Sequence, residues 1–300
     1  KFMIYVRIVI SYFIRRFKMK SVDILKSKGT MSFTAIFLLI IAYSFLQGIL
    51  LEYIFKSIIG YNFEAVLCSY IFSAISILVL IKIIEKSTWV EFGFNKNNRR
   101  EVFKTGIGTS VLGLIVIFGA LVVSNNIRIN LSDNISYVSI LILFLLVLIQ
   151  GILEEIIFRG YLMSRITAKK SKWIAVFGST IFYLVFHMSN PTTTKLSFFN
   201  IFLISIVMCL LYWYFDNVLV VAIFHGIWNC ISGVVLGFNI SGIKVLNSVF
   251  TIKLLGDMQV VTGGDFGLDG SIMTTLYFSI LALIIYMRLY LKMFRKSAKK

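Results

Sequence analysis

The sequence predicts an all-α, polytopic membrane bundle of about eight transmembrane helices with an amphipathic helix at its N-terminus. Three observations carry that fold class. Hydrophobic residues make up 59% of the 300 and charged residues 14%, whereas a soluble domain holds roughly half apolar and about a quarter charged residues. The apolar residues fall in runs close to the roughly 20 needed to cross a hydrocarbon core as a helix. A single proline leaves those runs free of helix breaks.

The elements follow in chain order. Arg7, Ser11, Arg15 and Lys18 recur at spacings of four, four and three, which is one face of a helix. Residues 1–20 therefore read as an amphipathic helix on an anionic membrane surface. Residues 1–30 form a cytoplasmic or interfacial segment and 31–300 a single transmembrane domain. Spans are expected at about 31–55, 64–84, 105–124, 136–162, 172–189, 196–214, 217–236 and 271–290.

Charge sets the orientation. With the N-terminus inside, segments 1–30, 82–104, 159–172 and 288–300 hold 25 of the 30 Lys and Arg residues. Lys56, Arg128, Lys195, Lys244 and Lys253 are left outside. That bias puts both termini in the cytoplasm of what reads as a bacterial plasma membrane. The net charge of +17 thus serves topology, and no soluble domain exists to carry a nucleic-acid patch. Cys68, Cys209 and Cys230 all lie in apolar runs and form no CxxC pair, so neither a disulfide framework nor a thiolate metal site is expected. The longest outer loop, 237–270, ends in GGDFGLDG, which reads as turn chemistry more readily than as a calcium site at Asp265 and Asp269.

An ionisable side chain within a span costs about 2.5–3.5 kcal/mol on insertion scales, so each needs a reason. The fourth span carries Glu154, Glu155 and Arg159. Glu155 and Arg159 are four apart and can pair on one face. Glu154 points about 100° away around the helix and has no evident local partner. A desolvated carboxylate is a good general base. A purely structural ion-pair staple is the bland reading of the same residues. The two histidines, His187 and His225, both fall in apolar spans, and Asn229 shares a face with His225. Gly226 beside them allows close helix approach. Glu154 and His187 lie about 22–27 Å along their helices from a turn near residue 169, hence at one depth. His225 follows the Asp216–Asn217 turn by only nine residues, so that turn must be recessed for His225 to join them.

EExxxR at 154–159, an aromatic residue four before His187, and HxxxN at 225–229 occur in this order on separate spans. Together they resemble the CAAX-prenyl-protease and bacteriocin-processing (Abi) family of intramembrane proteases, over a core of about 140–235. The resemblance implies a proteolytic site. Glu154 would be the general base, His187 would hold and activate water, and His225 and Asn229 would stabilise the oxyanion. Glu155 and Arg159 would support them. The aromatic position, usually Phe in the family, is Tyr183, whose phenol is free to donate a hydrogen bond into the site.

The family is often described as metalloproteases, and two chemistries fit its residues. A zinc ion would take His187, His225 and Glu154 or Glu155. The soluble zincin pattern places its histidines at i and i+4 on one helix, whereas here the i+4 partner is Asn229, a poor zinc ligand. Ligand preference therefore favours a cofactor-free glutamate mechanism. The implied substrate is a hydrophobic or lipid-associated peptide or protein in contact with membrane lipids. Lys-, Ile- and Asn-rich composition fits a low-GC bacterium, so small peptide precursors are expected over prenylated C-termini. Two other classes compete. One is a non-catalytic bacteriocin immunity or scaffold protein of the same fold. The other is a proton-coupled transporter, which would show repeated halves that this sequence lacks.

Overall fold

The computed structural model describes residues 19–28, 42, 51–60, 63–96, 98–133, 135–188, 190, 192–255 and 258–297. The amphipathic helix expected at 1–20 and most of the span expected at 31–55 lie outside them. The described helices are α1 (Lys20–Lys28), α2 (Glu52–Ile59), α3 (Phe63–Glu85), α4 (Arg99–Val123), α5 (Tyr137–Lys169), α6 (Lys172–His187), α7 (Lys195–Phe215), α8 (Leu219–Val235), α9 (Gln259–Thr262) and α10 (Ile272–Ser297). Two of them widen into π-helical turns, α5 over Ile156–Met163 and α8 over Cys230–Val235. Such widening recurs at functional sites.

Five of these helices, α3, α4, α5, α7 and α10, are long and apolar enough to cross a membrane. The helical bundle is as expected; among the described residues five of the eight expected spans meet that length, and most of 31–55 lies outside them. Helix α6 has 16 residues, about 24 Å at 1.5 Å per residue and short of a roughly 30 Å hydrocarbon core. Helix α8 is similarly short. Polar caps at Ser171 and Thr194 mark where neighbouring helices begin: each side chain accepts from a backbone N–H three residues on. Helix α7 is the central element, with 67% of its apolar window buried against 28–39% in the other four. The outer faces carry exposed apolar side chains such as Ile75, Ile83, Leu112, Leu141 and Leu283, a surface suited to lipid.

The fold is not purely helical. Strands β1 (Ile127–Leu131) and β2 (Phe250–Leu254) pair antiparallel, with Arg128 opposite Lys253. Their alternating pattern is only five residues long, IRINL and FTIKL, too short to stand out among apolar runs. This ladder joins the two longest segments that charge counting placed outside. At the opposite end, the Asp216 carboxylate accepts from Lys20 N and from Asn95 Nδ2, and Lys292 donates to the Tyr214 carbonyl. Arg165 is buried there against Glu85 at 2.6 Å and lies over the Tyr161 ring. The two ends therefore sort the loops as the basic residues did.

The turn between α7 and α8 is covered by the 86–98 segment. Asp216 adopts a left-handed φ of 48°. Asn217, fully buried, donates to the Asn95 carbonyl, and Val218 N donates to the Gly93 carbonyl. The turn is thus buried beneath this segment, which meets its polar groups together with Lys20 N.

Candidate active site

Helix crossing creates the site. Gly151 on α5 faces Gly226 on α8; a Cβ on Gly226 would stand 2.6 Å from Leu148 Cδ1, and one on Gly151 would stand 3.0 Å from Gly226 N. Small residues let the two backbones meet. Glu154 and Glu155 follow Gly151 by one turn, and His225 adjoins Gly226, so the close crossing places carboxylates beside imidazole.

Glu155 is the hub. Its Oε1 accepts from Arg159 Nη1 at 2.8 Å and from His225 Nδ1 at 3.0 Å. Arg159 also donates from Nη2 to Ser205 Oγ at 2.8 Å, and Ser205 in turn donates to Thr180 Oγ1. The guanidinium lies 4.5 Å from the centre of the Tyr183 ring. Four helices, α5, α6, α7 and α8, are thereby tied to one fully buried ion pair. The predicted Glu155–Arg159 pairing is present, and it reaches a histidine as well.

Glu154 is buried and lines a different wall. Its Oε1 accepts a short hydrogen bond from Gln150, one turn earlier, a partner the sequence reading did not see. Its Oε2 is buried without a hydrogen bond among the described residues. A bare buried carboxylate oxygen is costly unless it has a task.

His187 sits at the end of α6. Its Nδ1 lies 2.8 Å from the Tyr183 carbonyl oxygen. A carbonyl only accepts, so the proton sits on Nδ1 and Nε2 is left to face other groups. Tyr183 therefore positions His187 by its backbone and by its ring, 4.3 Å between centroids. Among the described residues no hydrogen bond reaches its phenol, so the expected donation into the site is not part of this arrangement.

Glu154, His187, His225 and Asn229 line one cavity of about 50 Å³ together with Gln150 and Ser241, enough room for water. A second lobe of about 20 Å³ shares His187, His225, Asn229 and Ser241 and ends on Asp269. Asp269 is the residue that sequence reasoning missed. It was read as turn chemistry, yet its Oδ1 accepts from Trp228 Nε1 at 2.9 Å and its Oδ2 stands 3.4 Å from Ser241 Oγ. Burial pushes its carboxyl above the usual carboxylate range, opposed by the Trp228 hydrogen bond. The only available signal was an acidic residue in a glycine-rich loop, which is indistinguishable from a turn.

A His₂Glu zinc centre needs three such side chains around one point. Among the described residues no group of three or more His, Cys, Asp or Glu converges in that way. The residues as arranged do not fit that centre.

Residues 134–231 match the family of Rce1-like type II CAAX prenyl endopeptidases. No curated protein matches the chain. The matched segment holds Glu154, Glu155, Arg159, Tyr183, His187, His225 and Asn229, and leaves Ser241 and Asp269 outside. Over that third of the chain, and alongside five helices long and apolar enough to cross a membrane, the protein is similar to the CAAX prenyl endopeptidases.

Proposed function

We propose that the chain is an intramembrane endopeptidase that hydrolyses a peptide bond of a hydrophobic or lipid-associated peptide without a metal ion. The carrying observation is the single cavity lined by Glu154, His187, His225 and Asn229, with one Glu154 oxygen buried and unpartnered. The attacking water lies between Glu154 and His187 Nε2. Glu154 removes its proton as the oxygen adds to the scissile carbonyl carbon. The oxyanion takes hydrogen bonds from the Asn229 amide and from His225 Nε2. As the C–N bond breaks, Glu154 returns the proton to the leaving nitrogen.

In this reading Glu155 takes a sharper part than general support. His225 Nδ1–H is directed at Glu155, so His225 can donate from Nε2 only as the imidazolium. Glu155 is then the counter-ion that holds that form, and Arg159 with Ser205 holds Glu155. Small peptide precursors in a bacterial plasma membrane are the proposed substrates, with both termini of the enzyme in the cytoplasm.

The test is cleavage of internally quenched apolar peptides by the purified protein in liposomes. Wild type cleaves, while Glu154→Gln, His187→Ala and His225→Ala lose activity. Glu154→Gln keeps the shape of the side chain and removes the base. Wild-type turnover by that variant overturns the mechanism.

A further inference from the structure

The proposed chemistry uses Glu154 and the His225–Glu155 pair but leaves Asp269 without a task. Three carboxylates surround the two lobes or their wall, Glu154, Glu155 and Asp269. The two cations hydrogen-bonded to a carboxylate, Arg159 and the imidazolium of His225, both bond to Glu155. No Lys or Arg side chain lines either lobe. Asp269 is therefore a carboxylate with no cation hydrogen-bonded to it, and the hydrolytic steps do not need it.

Asp269 is also held in place. The loop that delivers it turns at Gly263 and Gly267, whose φ angles are 88° and 90°. A Cβ on Gly267 would stand 2.0 Å from the Asn239 carbonyl oxygen, so the loop is packed against its own earlier residues. The Trp228 indole and the more distant Ser241 hydroxyl fill two of roughly four acceptor positions on the carboxylate. The walls beside it are apolar, with Ile201, Met208, Phe224 and Phe278. A compact cationic head suits such a lobe, because it reaches the carboxylate while its stem stays in the larger adjoining lobe. The lobe itself, about 20 Å³, matches a head group the size of a water molecule better than a bulky side chain.

The geometry points to Asp269 as a specificity residue that binds a cationic group of the substrate close to the scissile bond. This deepens the hydrolytic reading and rests on it. The shared chemistry is an ammonium group. It can come from a Lys side chain or from the free amino terminus of a short peptide.

Internally quenched apolar peptides carrying Lys, Gln or Glu at one position on either side of the centre separate these cases, each made with a free and with an acetylated N-terminus. Two readouts are taken. Binding is measured by fluorescence anisotropy on Glu154→Gln protein, with and without Asp269→Asn, so that turnover is not required. Cleavage is measured on otherwise wild-type protein. The expected result is at least ten-fold tighter binding of the Lys peptide than of the Glu peptide, falling to within about two-fold in Asp269→Asn. If the amino terminus is the recognised cation, acetylation reproduces the loss and the internal position does not matter. Ratios between peptides are internal to each variant, so a partly unfolded preparation does not distort them. Equal ratios with and without Asp269→Asn, or no charge preference in binding at all, overturn the inference. Wild-type cleavage by Glu154→Gln overturns the hydrolytic reading instead.

Discussion

Arg159→Met tests the hub of the site without any knowledge of substrate. Arg159 and Glu155 are fully buried and 2.8 Å apart. Removing the guanidinium strands a carboxylate in a low-dielectric interior, which costs about 3–5 kcal/mol. His225 remains 3.0 Å from the same oxygen, so the lower end, near 3 kcal/mol, applies. At about 2–4 °C per kcal/mol for a large chain, Tm in detergent falls by roughly 6–12 °C. Adding Glu155→Gln removes the stranded charge, so the double variant recovers part of the loss; the coupling in such a double-mutant cycle is up to about 3 kcal/mol. Thermal unfolding of the four proteins in one detergent is the assay. If the double variant is as unstable as the two single losses added together, the buried pair is not what joins these helices, and the account of Glu155 as counter-ion to His225 fails with it.

Other outcomes follow from the same geometry. Glu154→Gln lowers kcat by about 10²–10⁴-fold, the usual contribution of a general base, measured on quenched peptides in liposomes. Asn229→Ala removes one oxyanion donor, worth about 2.7–4 kcal/mol, and lowers kcat with little change in KM; an effect confined to KM refutes its assigned role. Gly226→Val forces α5 from α8, since even its Cβ meets Leu148 at 2.6 Å; overpacking of this kind costs about 1–3 kcal/mol, and activity falls further than stability because Glu154 and His225 move apart. Lowering the pH protonates Asp269 at values above the ordinary carboxylate range, since burial raises its carboxyl, so any Lys preference fades as pH falls. That fading is absent in Asp269→Asn, a control that is needed because His187 and His225 also face the lobe. For orientation, Lys253→Cys is labelled in intact cells by an impermeant maleimide and Asn98→Cys is not; the reverse pattern overturns the topology.

Much of this protein is determined by sequence alone. Apolar run length sets helices α3, α4, α5, α7 and α10, because a backbone in lipid must satisfy its own hydrogen bonds. The bias of basic residues sorts the loops into two ends, which the contacts of Lys20, Asn95 and Lys292 with the α7–α8 turn region and the β1–β2 ladder respect. The insertion cost of ionisable residues singles out Glu154, Glu155, Arg159, His187 and His225, and helical spacing pairs Glu155 with Arg159. Tertiary structure decided the rest, since the remaining contacts join residues far apart in the chain or depend on which atom faces which. His225 turns to Glu155 and not Glu154, Gln150 supplies the missing partner of Glu154, and Ser205 accepts from the second terminal nitrogen of Arg159. Asp269 enters the cavity from a loop whose local sequence reads only as a turn. No periodicity encodes that approach. It arises because the glycine turns at 263 and 267 fold the loop back beneath Trp228, and a contact of that kind exists only once the helices have been packed.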